Sequence, residues 1–267
     1  MSEIALDSTD GIVSQRDNIT TIVSAGMRDM DLDSTGKYLL IGGNGTNNVF
    51  AAEYATAGDI SSSLTGKGSI SNPLGGGINS VCWSNDGTKV GIGTQHGNDN
   101  VFRSYTVSTA YDLNSTVTPM NAGSLSDSLG SGVKRFSNDS ATNGFAAGIA
   151  YNDDGTRVYV SQKKAVREYI LSTAYDLSTM GSVNYTLDLS NFIGDRDLGP
   201  VYTTSGVPDI ANGIDWSSDG RTLFVTTAFG GTITSAITGT PGPEIINGGR
   251  SFPGPDVNTF PAFTISI

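Results

Sequence analysis

The chain has one cysteine and one histidine among its 267 residues. A lone Cys82 excludes an intramolecular disulfide, and its place beside Trp83 in an apolar run reads as a buried, inert thiol. A lone His96 excludes a histidine metal cluster. A Ser–His–Asp triad would require the polar turn Gln95-His96-Gly97-Asn98-Asp99-Asn100 to meet a distant serine. Basic residues are scarce too: 15 Lys and Arg face 26 Asp and Glu, for a net charge of −11. That leaves no basic face for nucleic acid. Lys163 and Lys164 with Arg167 make one small basic spot, read as an exposed strand edge. No apolar run reaches spanning length, which argues against membrane insertion. The opening Met1-Ser-Glu-Ile-Ala-Leu-Asp7 lacks the basic start and apolar core of a signal peptide. The expectation is a protein made in a cytoplasm and not exported by the usual route. Helical apolar periods are missing, and the acids are mostly Asp, which favours turns. Very little helix is expected.

What the chain does have is repetition. Gly148-Ile-Ala-Tyr-Asn-Asp-Asp-Gly-Thr-Arg-Val-Tyr-Val-Ser161 returns in similar form at 28–41, 79–94 and 212–226. Each copy is a short strand, a polar turn and a second strand, with the turn glycines Gly36, Gly87, Gly155 and Gly220 supplying a positive φ. Four residues before each glycine stand Leu32, Trp83, Tyr151 and Trp216, and six before stand Met30, Val81, Ile149 and Ile214. A period of two puts each pair on one strand face, directed to a common layer. The 35 glycines suit many short strands joined by turns.

Further strands follow each hairpin: 49–54 and 66–71, then 101–107, then 165–171 and 182–189, then 232–237, with 262–267 alternating to the end. Four units of four antiparallel strands, none able to bury its own faces, describe blades of a single small all-β propeller. The blades fall at about 22–74, 75–144, 145–209 and 210–267, with 1–21 as an arm or ring-closing strand. The rival is a five-bladed ring whose extra blade combines the N-terminal 25 residues with 239–267. Long loops are expected at about 121–145 and 190–211. The C-terminal strand and the arm also leave room for an oligomer.

Tyr105-Thr-Val-Ser-Thr-Ala-Tyr-Asp-Leu113 and Tyr169-Ile-Leu-Ser-Thr-Ala-Tyr-Asp-Leu177, with the Asp-Gly-Thr-Lys/Arg turns, resemble a propeller repeat of marine bacterial and bacteriophage proteins. Asp59-Ile60 reads as a shortened relic of the same feature. The turn is also distantly similar to the WD-repeat and lactonase-like propellers. The resemblance implies a non-enzymatic virion component, on the capsid surface or tail, that meets other virion proteins or a host-surface glycan. A glycan- or metal-binding module is the alternative, and a lactonase-type hydrolase ranks behind it.

No catalytic residues and no cofactor are assigned. Asp29 and Asp31 alternate along the first inner strand, and Asp215 matches Asp31 in register, so these three are the candidate cation ligands, with calcium the ion they would take. Cys82 and Ala150 hold the equivalent places in the middle repeats. Asp195 and Asp197 flank Arg196 in a predicted solvated turn. Gly75-Gly-Gly77 is not a phosphate loop, since no helix follows it. Tyr111 and Tyr175 read as staples of their own blades' turns, in preference to sugar-stacking platforms.

Overall fold

The computed structural model describes residues 26–44, 47–59, 62–72, 77–96, 99–121, 132–137, 146–162, 165–188, 211–216, 222–227, 233–237 and 262–265. The arm at 1–21, Lys163, Lys164, Asp195 to Asp197 and Gly220 lie outside them. The first sheet joins β1 (Gly26–Leu32), β2 (Tyr38–Asn44), β3 (Asn48–Tyr54) and β4 (Leu64–Ser71) in that order. The second joins β5 (Ile78–Trp83), β6 (Lys89–His96), β7 (Asp99–Val107) and β8 (Val117–Pro119), and β9 (Val133–Ser137) also pairs with β7. The third runs β10 (Ala146–Tyr151), β11 (Arg157–Gln162), β12 (Ala165–Leu171), β13 (Met180–Asp188). The fourth runs β14 (Ala211–Trp216), β15 (Thr222–Thr227), β16 (Ile233–Ile237), β17 (Ala262–Ile265). Every pairing is antiparallel, and the helix among the described residues is one 3-10 turn at Leu177–Thr179. The described residues are all-β, in three four-stranded sheets and one of five strands that resemble propeller blades.

One segment departs from expectation. The stretch 121–145 holds a strand: β8 and β9 share one edge of β7, β8 along Tyr105 to Val107 and β9 along Asp99 to Arg103. The second blade's fourth strand therefore comes in two pieces. At the far end, Ala262–Ile265 is the outer strand of the fourth sheet, within the span 210–267 expected for it.

The hairpin turns repeat in atomic detail. Gly87 N–H donates to the Ser84 carbonyl at 2.9 Å and Gly155 N–H to that of Asn152 at 3.1 Å, with φ of 66° and 69°. One oxygen of Asp154 accepts the backbone N–H and the hydroxyl of Thr156, and Asp86 does the same for Thr88. These Asx turns explain the Asp-Gly-Thr pattern. The first copy lacks that acid. There Asp33 accepts the N–H groups of Lys37 and Tyr38, both at 2.7 Å.

A face turned to the next sheet in chain order is called forward here, and the opposite face is called rear. Val81, Trp83, Val90 and Ile92 on the rear of the second sheet pack with Leu40, Val49 and Ala51 on the front of the first. Ile149, Tyr151, Val158 and Val160 repeat this against Cys82 and Phe102. Trp216 and Ile214 repeat it against Ala150, Tyr159 and Val166. Trp83, Tyr151 and Trp216 are therefore core residues, as their spacing predicts. Leu32 is not: it is 39% exposed, and Met30 is 66% exposed. Both lie on the rear of the first sheet, facing away from the second, so the seam that buries their counterparts is not built over them.

Replacing a fully packed aromatic at a seam removes its burial and leaves a cavity. Trp83→Ala is expected to cost about 3–5 kcal/mol, measured as a shift of the denaturation midpoint. A loss below about 1 kcal/mol would mean that the seam does not hold the second sheet.

Candidate functional site

The inner strands β1, β5 and β10 each carry a register shift near their start, at Met27/Asp29, Ile78/Ser80 and Ala146/Gly148. After the shift, alternation sends Asp29 and Asp31 to the forward face of β1. There they meet the open edge of β5, whose outward N–H groups have no strand to pair with. Asp29 Oδ2 accepts from Val81 N–H at 2.9 Å, and Asp31 Oδ2 accepts from Trp83 N–H at 2.6 Å. Arg28 extends the same ladder by donating to Asn79 Oδ1. Two sequence-predicted cation ligands thus act as a side-chain strand edge for the next blade.

Burial pushes the Asp29 carboxyl well above the usual range, against the pull of the Val81 N–H. Asp31 is pushed up to about 7, first by burial and then by the charge of Asp215. Solvent still reaches Asp29 and Asp31 in part, which softens the desolvation. Asp215 is thereby close enough for its charge to act on Asp31. It accepts from the N–H of its neighbour Trp216 at 2.7 Å. Proximity does not amount to a ligand set, however. Among the described residues no group of three His, Cys, Asp or Glu side chains converges so as to hold a metal ion. The carboxylate oxygens of Asp29 and Asp31 are turned to backbone donors.

Cys82 holds the place of Asp31 in the second blade and is 2% exposed. Burial raises its thiol well above the usual range, and the charges of Asp31 and Asp29 add to the effect. A thiol held neutral is a poor nucleophile.

The two repeated tyrosines are staples. Tyr111 N–H donates to the Gly87 carbonyl at 2.9 Å and its hydroxyl to the Asn85 carbonyl at 2.7 Å. Tyr175 does the same to Gly155 and Asp153. Each ring lies so close over its turn glycine that a Cβ on Gly87 or Gly155 would fall 2.5 or 2.4 Å from it. Burial lifts both phenols to about 12. Tyr111 also stacks on Tyr38 of the first sheet, centroids 4.4 Å apart. In the first blade Gly58 N–H donates to Gly36 in the same way, and Asp59 N–H to Thr56, as Asp112 does to Thr109. The supposed shortened relic is therefore full length, with Gly58 in the tyrosine's place.

Sequence reasoning missed Ser104. It lies on the forward face of β7, wholly buried, where its hydroxyl bonds the Tyr151 hydroxyl at 3.0 Å and accepts from Leu177 N–H at 2.9 Å. Nothing in Val101-Phe-Arg-Ser-Tyr-Thr-Val107, where Arg103 and Thr106 are polar as well, singles it out. His96 closes β6 opposite Asp99, within a ladder and not in an open turn.

No family model and no curated protein matches this sequence. Solved structures similar to it include the Cps50 (Swd1) β-propeller domain of Myceliophteria thermophila, at 13% identity and a TM-score of 0.42, over 79% of this chain and 53% of that one. A protein from Lactobacillus plantarum is similar at 12% identity and a TM-score of 0.47, over 89% and 56%. The chain spans about half the length of these structures. At such identities the likeness concerns the fold and carries no activity with it.

The Asp31 proton has a sign that can be tested. The folded chain holds it up to about pH 7, and the unfolded chain releases it near 3.8. Unfolding between those values sheds a proton, so this carboxyl's contribution falls as pH rises through that window and stays low above it. Asp31→Asn keeps an acceptor for Trp83 N–H without the charge. Its melting temperature is expected to exceed that of the parent at pH 8 and to match it near pH 4. A variant less stable than the parent at pH 8 would contradict this assignment.

Proposed function

We propose that this chain is a non-enzymatic structural or attachment protein of a bacteriophage particle, a single small propeller, four-bladed by preference, that presents its loops outward. Its partners on this reading are other virion proteins, on the capsid surface or tail, with a host-surface glycan as the outward target. It is made in the host cytoplasm and resides in the virion. The observation that supports this most is how the repeated polar residues are used. Asp86, Asp154, Tyr111 and Tyr175 each hold a turn, and Asp29 and Asp31 hold a strand edge. The repeat is a device for building scaffold, as the resemblance to virion-type repeats implies.

A second reading, a cation- or glycan-binding module, draws on the closeness of Asp31 and Asp215. Melting curves that shift with calcium, or retention on a glycan array, would favour it. The first reading is tested by mass spectrometry of purified particles from the phage that encodes the chain. Peptides at stoichiometric abundance are expected, and absence from washed particles would remove the proposal.

A further inference from the structure

An Asp-Gly pair in water is open to a slow rearrangement. The glycine nitrogen attacks the aspartate Cγ and an N–C bond forms, while the nitrogen's proton and a carboxyl oxygen leave as water. The cyclic imide then takes up water at either carbonyl, which returns aspartate or gives isoaspartate. In the second product the chain runs through Cβ and Cγ, so the turn lengthens by one backbone atom. Glycine favours the attack because it has no Cβ to crowd the nitrogen. This chain sets such pairs, Asp86-Gly87 and Asp154-Gly155, in the turns that fix its strand register.

The reacting groups are held on every side. Gly87 N–H is turned to the Ser84 carbonyl, and Gly155 N–H to that of Asn152. Besides its bonds from Thr88, Asp86 Oδ1 accepts from the Ser84 hydroxyl at 2.6 Å. Asp154 Oδ1 likewise accepts from Thr156 and from Asn152 Nδ2 at 2.7 Å. The carboxyl must be protonated before its oxygen can leave as water. Burial alone would raise both carboxyls, yet these bonds hold Asp86 and Asp154 below the usual range, which keeps that form scarce. A tyrosine closes the other side. Tyr111 or Tyr175 puts its N–H on the glycine carbonyl, its hydroxyl on the carbonyl before the aspartate, and its ring over the glycine. In the first sheet the pair is Thr35-Gly36, which cannot form the imide, and there Gly58 stands in the tyrosine's place.

We infer that Asp86 and Asp154 are guarded against conversion to isoaspartate, with Thr88 and Tyr111, and Thr156 and Tyr175, as the positioning residues that keep the imide from forming. The repeated tyrosine segment thus has a chemical task beside its structural one, and that task is independent of where the protein resides.

The test follows isoaspartate at each site by peptide mass spectrometry, in the full chain aged at neutral pH. One sample stays folded and a second is kept unfolded in guanidinium chloride. Both sites are expected to convert at least about tenfold more slowly in the folded chain, the effect of one charge-assisted hydrogen bond or more. Equal rates in the two samples would overturn the inference. Thr88→Val and Tyr111→Ala are each expected to raise the folded rate at Asp86 by about 2- to 10-fold. Asp154, in the same molecule, should keep its parental rate, and Thr88→Ser should restore that of Asp86. Rates at Asp86 left unchanged in both variants would overturn the assignment of the guards. So would an equal rise at Asp154, because it would report a general loosening of the fold.

Discussion

A four-stranded sheet with apolar side chains on both faces cannot be buried alone, and every other feature here answers to that constraint. Alternation along each strand sends large residues to both sides. Leu40 and Ile41 are neighbours in β2, both fully buried, in different clusters. Such a sheet is stable only between two others, so the natural product is a series of seams. Hydrophobic area does most of the holding, and turn chemistry fixes the register that presents it.

Stacking sheets face to face leaves a second problem at the inner edge, where one strand of each sheet has outward N–H groups and no neighbour. The first seam solves it with carboxyls, because Asp29 and Asp31 bond Val81 and Trp83. The second seam solves a different polar demand with a hydroxyl. Ser104 of one sheet takes both the Tyr151 hydroxyl and the Leu177 N–H of the next. Asp29, Asp31 and Ser104 are therefore part of the packing, each placed where an apolar residue would strand a donor. The raised pKa of Asp31 is the cost of one such solution: the carboxyl that serves β5 is desolvated by burial, and the charge of Asp215 adds to the effect.

Much of the scaffold was legible because its signals are local. Gly87 and Gly155 betray their turns, and Trp83, Tyr151 and Trp216 betray the buried face by a period of two. β9 was not legible, since Val133-Lys-Arg-Phe-Ser137 lies far beyond its hairpin and pairs only where β8 leaves off. Leu32 shows a different limit. A sequence tells which face a residue shares with its neighbours but not whether another sheet stands against that face. Asp29 and Asp31 show a third, because a carboxylate that caps backbone N–H groups looks the same in sequence as one that would bind an ion. Gly58 shows that an equivalent position can survive the loss of the side chain that marks it.

If the seams hold the sheets, the central strands should open together. Native-state hydrogen exchange read at Leu40, Val90 and Val158, each fully buried in a different sheet, measures this directly. The expected result is one opening free energy shared by all three, with the same dependence on denaturant. Three distinct energies, each with the small denaturant dependence of a sheet opening alone, would contradict the claim that no sheet stands without its neighbours.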